Sequence, residues 1–170
     1  ASAGALATAS VAGSNYAIVP SAASGTGLQN NYTIQYVNGS LAVTPKPLTV
    51  TANAASMSYG DSVLPGLSYS STGLINGDSI SGNLATNAQV YNGSAGSASN
   101  VGSYAITQGS LSAGANYTMT YVGAALTVNP VNLTVTATDR SSVYGVSTPL
   151  GTSQFTPSGL VMVMLLAARS

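Results

Sequence analysis

The chain has 170 residues, of which only three are basic and three acidic, with no His and no Cys. Charged residues make up 4% against about 25% in an average soluble domain, and that shortage excludes whole classes of function. Three scattered cations, Lys46, Arg140 and Arg169, build no basic patch, so neither nucleic acid nor an anionic lipid surface is an expected partner.

Apolar residues reach 45% and ten residues are Tyr, which is too hydrophobic for a disordered chain. Without Cys, stability must come from packed sheets rather than cross-links. The chain opens at Ala1 without Met, shows no signal peptide, and reads as a fragment. The apolar run Leu160 to Ala168 falls short of the roughly 20 residues that a membrane-spanning helix needs.

In chain order, the first clear element is the phrase "NYTIQYVNGSLAVTP", Asn31 to Pro45. Asn38-Gly39 is the favoured residue pair of a type I′ turn, so the phrase predicts a hairpin. A two-residue loop sets Val37 against Ser40, Tyr36 against Leu41, Ile34 against Val43 and Tyr32 against Pro45. All the large apolar side chains then share one face, and the tyrosines belong to the core. "TPKP" (Thr44 to Pro47) follows and reads as a short stiff connection, because proline fixes φ and removes a donor. "LTVTA" alternates Leu48, Val50 and Ala52 on one face with Thr49 and Thr51 on the other, a strand pattern. "LSYSS" begins a second strand at Leu67, "SISGNLA" a third at Ser79 and "SYAIT" a fourth at Ser103. The opening phrase then returns as "NYTMTYVGAALTVNP", Asn116 to Pro130, a hairpin through Gly123-Ala124 with Tyr121 opposite Leu126 and Met119 opposite Val128. "NPVN" (Asn129 to Asn132) forms the second joint.

Further segments superimpose on the same shift. "KPLTVTANAASMSYGD" (Lys46 to Asp61) falls on "VNLTVTATDRSSVYGV" (Val131 to Val146), and, once a few extra loop residues before Asn31 in the first copy are allowed for, "GSNYAI" (Gly13 to Ile18) falls on "GSYAI" (Gly102 to Ile106). The period of about 85 residues exceeds the roughly 20 to 50 of single-coil solenoid repeats and fits tandem β-domains. Residues 1–45 are then the C-terminal part of a first repeat, 46–130 a complete one and 131–161 the start of a third. The expected fold is all-β: one complete antiparallel β-sandwich domain with immunoglobulin-like layering and partial flanking repeats. A β-grasp-like domain is the alternative.

The stock of catalytic groups is small. Ser-His-Asp and Cys-His catalysis need residues the chain lacks, and a Ser-Lys pair would have to use Lys46, which stands beside two prolines. Paired-carboxylate hydrolysis would require Asp61 and Asp78, the only acidic residues of the complete repeat, to converge. Both follow Gly, in "YGD" and "NGD", where Asp is expected for turn reasons alone. Calcium at Asp78 with Asn76 would lack the six to eight oxygens the ion takes. No catalytic residue, cofactor site or metal site is therefore assigned. Among the tyrosines, Tyr91 in "VYNGS" is the best candidate for an exposed aromatic on which a sugar could stack. Sequons at Asn31, Asn38, Asn92, Asn116 and Asn132 follow from an Asn- and Thr-rich composition.

Taken together, "LTVTANAASMSYGD", "GLINGDSISGNL" and "NVGSYAITQGSLSAGANYTMTYVGAALTVNP" resemble the MBG-type tandem repeats of bacterial surface proteins, found in large filamentous-haemagglutinin-like adhesins exported by two-partner secretion. The resemblance runs to about Val161. It implies a secreted or outer-surface location and the role of a stalk or spacer without catalysis, with neighbouring repeats as partners. The alternative is an adhesive module recognising host glycan or protein. The third repeat departs from the pattern, with "GLVMVM" (Gly159 to Met164) where the second has "GLINGD" (Gly73 to Asp78). Loss of one adenine from codons for Val-Asn-Gly-Asp gives Val-Met-Val-Met, so 162–170 reads as a frameshifted tail.

Overall fold

A computed structural model describes residues 1–26, 28–149 and 154–161. Apart from short helical turns at Ala3–Ala5, Val11–Gly13 and Leu28–Asn31, its regular elements are strands. These are β1 (Tyr16–Ile18), β2 (Gly39–Leu41), β3 (Lys46–Ala52), β4 (Ala55–Ser58), β5 (Tyr69–Thr72) and β6 (Ala85–Thr86). There follow β7 (Gly102–Thr107), β8 (Tyr117–Val122), β9 (Ala124–Asn129), β10 (Thr134–Ala137) and β11 (Phe155–Ser158). They pair as β1-β2, β5-β3-β8, β4-β9-β7-β6 and β10-β11. The chain is thus all-β, in keeping with a β-sandwich repeat.

Two compact units alternate along the sequence. The first takes Ala1–Ala52, Tyr69–Leu84 and Gln108–Val122; the second takes Asn53–Ser68, Ala85–Thr107 and the chain from Gly123 onward.

In the first unit β3 is the central strand. Leu48, Val50 and Ala52 are buried while Thr49 is exposed, so the period of two in "LTVTA" becomes an inward and an outward face. Leu48 and Val50 form a core with Leu111 and Tyr117, against which Tyr69, Leu74, Ile80, Leu84, Met119 and Tyr121 pack. Full burial of an aliphatic side chain of this size is worth about 1.5–3 kcal/mol, so Leu48 and Val50 dominate this unit. Gly73, just past β5, has φ +120, and a Cβ there would stand 2.6 Å from the Pro47 carbonyl oxygen. Only glycine lets the chain turn so close to β3.

In the second unit β9 lies between β4 and β7. Leu126, Val128, Ile106, Met57 and Ala88 are buried there, and Met57 stands beside Val128 in the ladder.

The internal repetition is visible in the pairing. Tyr16 faces Leu41 and Ile18 faces Gly39, just as Tyr104 faces Leu126 and Ile106 faces Ala124. At the other end Thr134 faces Ser158, as Thr49 faces Thr72. The pairing of β1 with β2 thus matches that of β7 with β9, and the pairing of β10 with β11 matches that of β3 with β5.

Several expectations are corrected. Neither hairpin forms. Gly39–Leu41 pairs with β1 instead, and the residues with positive φ do not include Asn38, Gly39 or Gly123, so no primed turn exists at either place. β8 and β9 are separated by Gly123 alone, too little for a hairpin loop, and each enters a different sheet. The antiparallel expectation holds for β1·β2, β3·β5, β6·β7, β7·β9 and β10·β11 but gives way at β3·β8 and β4·β9, which are parallel. Parallel neighbours require a crossover of a dozen or more residues, and the repeat supplies one by pairing its opening strands with its closing ones.

Tyr32 and Tyr36, placed in the core by the hairpin register, are exposed. Lys46 and Pro47 open β3 rather than forming a separate joint, and the Lys46 N–H donates to the Asn116 carbonyl oxygen at 2.9 Å. "SISGNLA" contributes an isolated bridge, Ser81 to Ser112, and then β6 instead of one strand. The proposed frameshifted tail, 162–170, lies outside the described residues.

Candidate functional site

The most organised polar cluster lies in the first unit, where the loop after β5 meets the start of β8. Asn76 and Gly77 have φ 57 and 77, left-handed values that Asn and Gly tolerate best. The turn is closed by the Asp78 N–H donating to the Ile75 carbonyl oxygen at 3.0 Å. It aims Asp78 at Tyr117, the first residue of β8. The Tyr117 hydroxyl donates to Asp78 Oδ2 at 2.7 Å and accepts from the Ile75 N–H at 3.1 Å. Burial pushes this hydroxyl above its ordinary range; the Ile75 N–H opposes the shift and the Asp78 carboxylate adds to it. Burial likewise raises Tyr121.

Asn116, one residue earlier, faces the first-repeat remnant. Its Oδ1 accepts from Ser10 Oγ at 3.1 Å and from the Val11 N–H at 2.9 Å. Asn76 Nδ2 donates to the Ala7 carbonyl oxygen at 3.2 Å. Ser10, Asp78, Ser79 and Asn116 border an open cleft of about 420 Å³, and Lys46, Asn76 and Tyr117 border a smaller one of about 130 Å³. The "NGD" and "NY" motifs thus spend their polar atoms on one another and on the segment 7–11 of the preceding repeat. The cluster thus joins segment 7–11 to the loop after β5 and the start of β8.

The other residues singled out from sequence are placed as follows. Asp61 is a turn residue: its Oδ2 accepts from the Ser58 N–H at 2.8 Å and its N–H donates to the Ser58 carbonyl oxygen at 3.1 Å. Asp61 belongs to the second unit and Asp78 to the first. Among the described residues no three His, Cys, Asp or Glu side chains converge on a point that could hold a metal ion, and Asn76 points its amide at a carbonyl rather than offering its oxygen with Asp78. Tyr91 is half-buried, and its N–H donates to the Asp61 carbonyl oxygen. The exposed tyrosines are instead Tyr32, Tyr36 and Tyr144. The roles of Asn76 and Asn116 escaped sequence reasoning, since their partners are far away in the chain. For Asn116 the recurrence of the phrase at Asn31 was the available signal.

Residues 48–127 match the family model of the MBG domain, YGX type. That stretch is similar to an MBG-type repeat module, and its regular elements are strands. No curated protein and no solved structure matches the chain. No helix among the described residues is long and apolar enough to cross a membrane.

Proposed function

We propose that this chain is part of the stalk of a large secreted or cell-surface bacterial adhesin, of the filamentous-haemagglutinin-like kind exported by two-partner secretion, and that its repeats act as spacers without catalysis. The observation that supports this most is the joint just described. The polar groups Asn76, Asp78, Asn116 and Tyr117, of which the last two recur as Asn31 and Tyr32, are occupied with one another and with segment 7–11. A stalk needs such self-contained joints, because they fix each module against the next without a ligand. The MBG match supports a repeat module of this type, and the outer bacterial surface is the location that goes with it.

A glycan and host-matrix-protein array probed with the purified chain tests the reading. A spacer gives no reproducible signal, and an antibody raised against residues 46–130 labels intact cells of the source bacterium. Reproducible binding abolished by Tyr32→Ala, Tyr36→Ala or Tyr144→Ala would replace the spacer by an adhesive module.

A further inference from the structure

Two short phrases recur with the repeat. "YG" stands at Tyr59-Gly60 and at Tyr144-Gly145, and "GL" followed by a β-branched apolar residue stands at Gly73 to Ile75 and at Gly159 to Val161. The glycine of the first phrase is left-handed in both copies, with φ 88 at Gly60 and 82 at Gly145, so "YG" turns the chain by its own chemistry. In the second repeat that turn is anchored on three sides. The Tyr59 N–H donates to the Asn129 carbonyl oxygen at 2.8 Å, the Asp61 N–H to the Ser58 carbonyl oxygen at 3.1 Å and the Tyr91 N–H to the Asp61 carbonyl oxygen at 2.8 Å. The turn is thereby tied to Asn129, the last residue of β9, where the second repeat closes.

The second phrase is tied to the opening of its own repeat. A Cβ on Gly73 would meet the Pro47 carbonyl oxygen and Leu48 Cα, and one on Gly159 would meet the equivalent atoms, the Asn132 carbonyl oxygen and Leu133 Cα. Ile75 and Val161, two residues on, therefore leave the same backbone placement in two successive repeats. The two phrases meet across the repeat boundary. For a Cβ built on Gly60 the three nearest heavy atoms all belong to the Val161 side chain, with Val161 Cβ at 2.8 Å. Tyr59, Val101 and Pro130 of the second repeat and Val131, Leu160 and Val161 of the third line one apolar cleft beside this contact.

We propose that Gly60 is a socket for the next repeat: it receives the Val161 side chain and so fastens the opening of the third repeat to the close of the second. Glycine suits any turn of this φ, but here it must also leave room. A side chain on Gly60 would push the "GL" turn off the "YG" turn. Socket and plug both recur with the period of the chain, so the same fit serves every boundary of a longer array, and to that extent the inference rests on the spacer reading.

Native-state hydrogen exchange on the full chain tests this at Thr138, whose N–H donates to the Gln154 carbonyl oxygen at 3.0 Å and reports on the start of the third repeat. Gly60→Ala should speed exchange there about tenfold, within the usual range of coupling between touching residues, and leave Val50 unchanged. Gly93→Ala puts similar strain at φ +96 with nothing within 4 Å, and should leave Thr138 unchanged. Once Val161→Gly has removed the plug, adding Gly60→Ala should bring no further change. Unaltered exchange at Thr138 in Gly60→Ala, equal acceleration in Gly93→Ala, or the same acceleration with and without the Val161 side chain overturns the proposal. A nuclear Overhauser effect between Gly60 Hα and the Val161 methyls tests the contact without any substitution, and its absence from the native chain overturns the proposal too. Ligand binding on the glycan array would remove the spacer reading and leave this contact standing.

Discussion

Leu48 and Leu133 occupy the same place in two copies of one phrase, "LTVTA" and "LTVTA" again at Leu133 to Ala137, yet the first is 1% exposed and the second 44%. Val50 and Val135 repeat the contrast at 0% and 52%. Local sequence makes both segments strands, with equivalent antiparallel partners. What separates them is supplied from a distance. β3 has β8 beside it and Leu111 and Tyr117 over it, whereas among the described residues β10 has only β11 as a strand partner. Alternation therefore creates a strand with an apolar face, but burial of that face comes from the closing strand of the same repeat.

The largest expected effect separates these two regions directly. Leu48→Ala should cost about 2–5 kcal/mol, the usual loss for a buried Leu. Leu133→Ala should stay within about 0.5 kcal/mol, as for an exposed site. Urea denaturation of both variants measures the difference, and similar midpoints would mean that β10 is as well covered as β3.

Next comes Gly73→Ala. The substitution forces a side chain onto φ +120 and into the Pro47 carbonyl, with backbone strain of about 1–3 kcal/mol. Gly114→Ala, at φ +75 with open space around it, carries strain without the clash and should lose less. Thermal melts rank the pair, and the reverse order would contradict the packing of the post-β5 turn on β3.

The Tyr117 hydroxyl gives a pH signature. Its folded value lies above the ordinary one of about 10. Its contribution is therefore full below that pH and is lost as pH rises through the higher folded value. Tyr117→Phe should lower the denaturation midpoint near neutrality by less than Leu48→Ala does, and should flatten the alkaline fall in stability. An unchanged alkaline slope would show that other tyrosines carry it.

The smallest effect belongs to the joint. Asn116→Ala removes the acceptor for Ser10 and Val11, at about 0.5–1.5 kcal/mol for a typical net hydrogen bond. It should speed hydrogen exchange at the Val11 amide while leaving Val50 unaffected. Equal acceleration at both would mean that Asn116 supports the core rather than the joint.

Much of this fold was legible in the sequence wherever neighbours along the chain decide the outcome. "LTVTA" and "SYAIT" read as strands because alternation needs no partner to be recognised, and β3 and β7 bear this out. The turn at Asn76-Gly77 was readable from its residue types. Pairing was not. Asn38-Gly39 favours a hairpin locally, but in the structure Gly39–Leu41 takes a partner more than twenty residues upstream. Gly123 likewise ends β8 so that β9 can join β4 and β7, and the parallel pairs this creates bury Leu48, Val50, Leu126 and Val128. A hairpin would compete for the strand edges those pairs use. At the site, Asp61 and Asp78 were legible as turn residues, whereas the joint made by Asn76 and Asn116 rests on contacts across most of the chain's first two-thirds.

The central claim is that the closing strand of a repeat, and not the phrase "LTVTA" itself, makes the core. Residue-resolved native-state hydrogen exchange at a concentration where the chain is monomeric tests it most directly, by comparing amides of β3 with those of β10. Amides of Leu48 to Ala52 should exchange only through global unfolding, and those of Thr134 to Ala137 through local opening, orders of magnitude faster. Equal protection in the two strands would contradict the account.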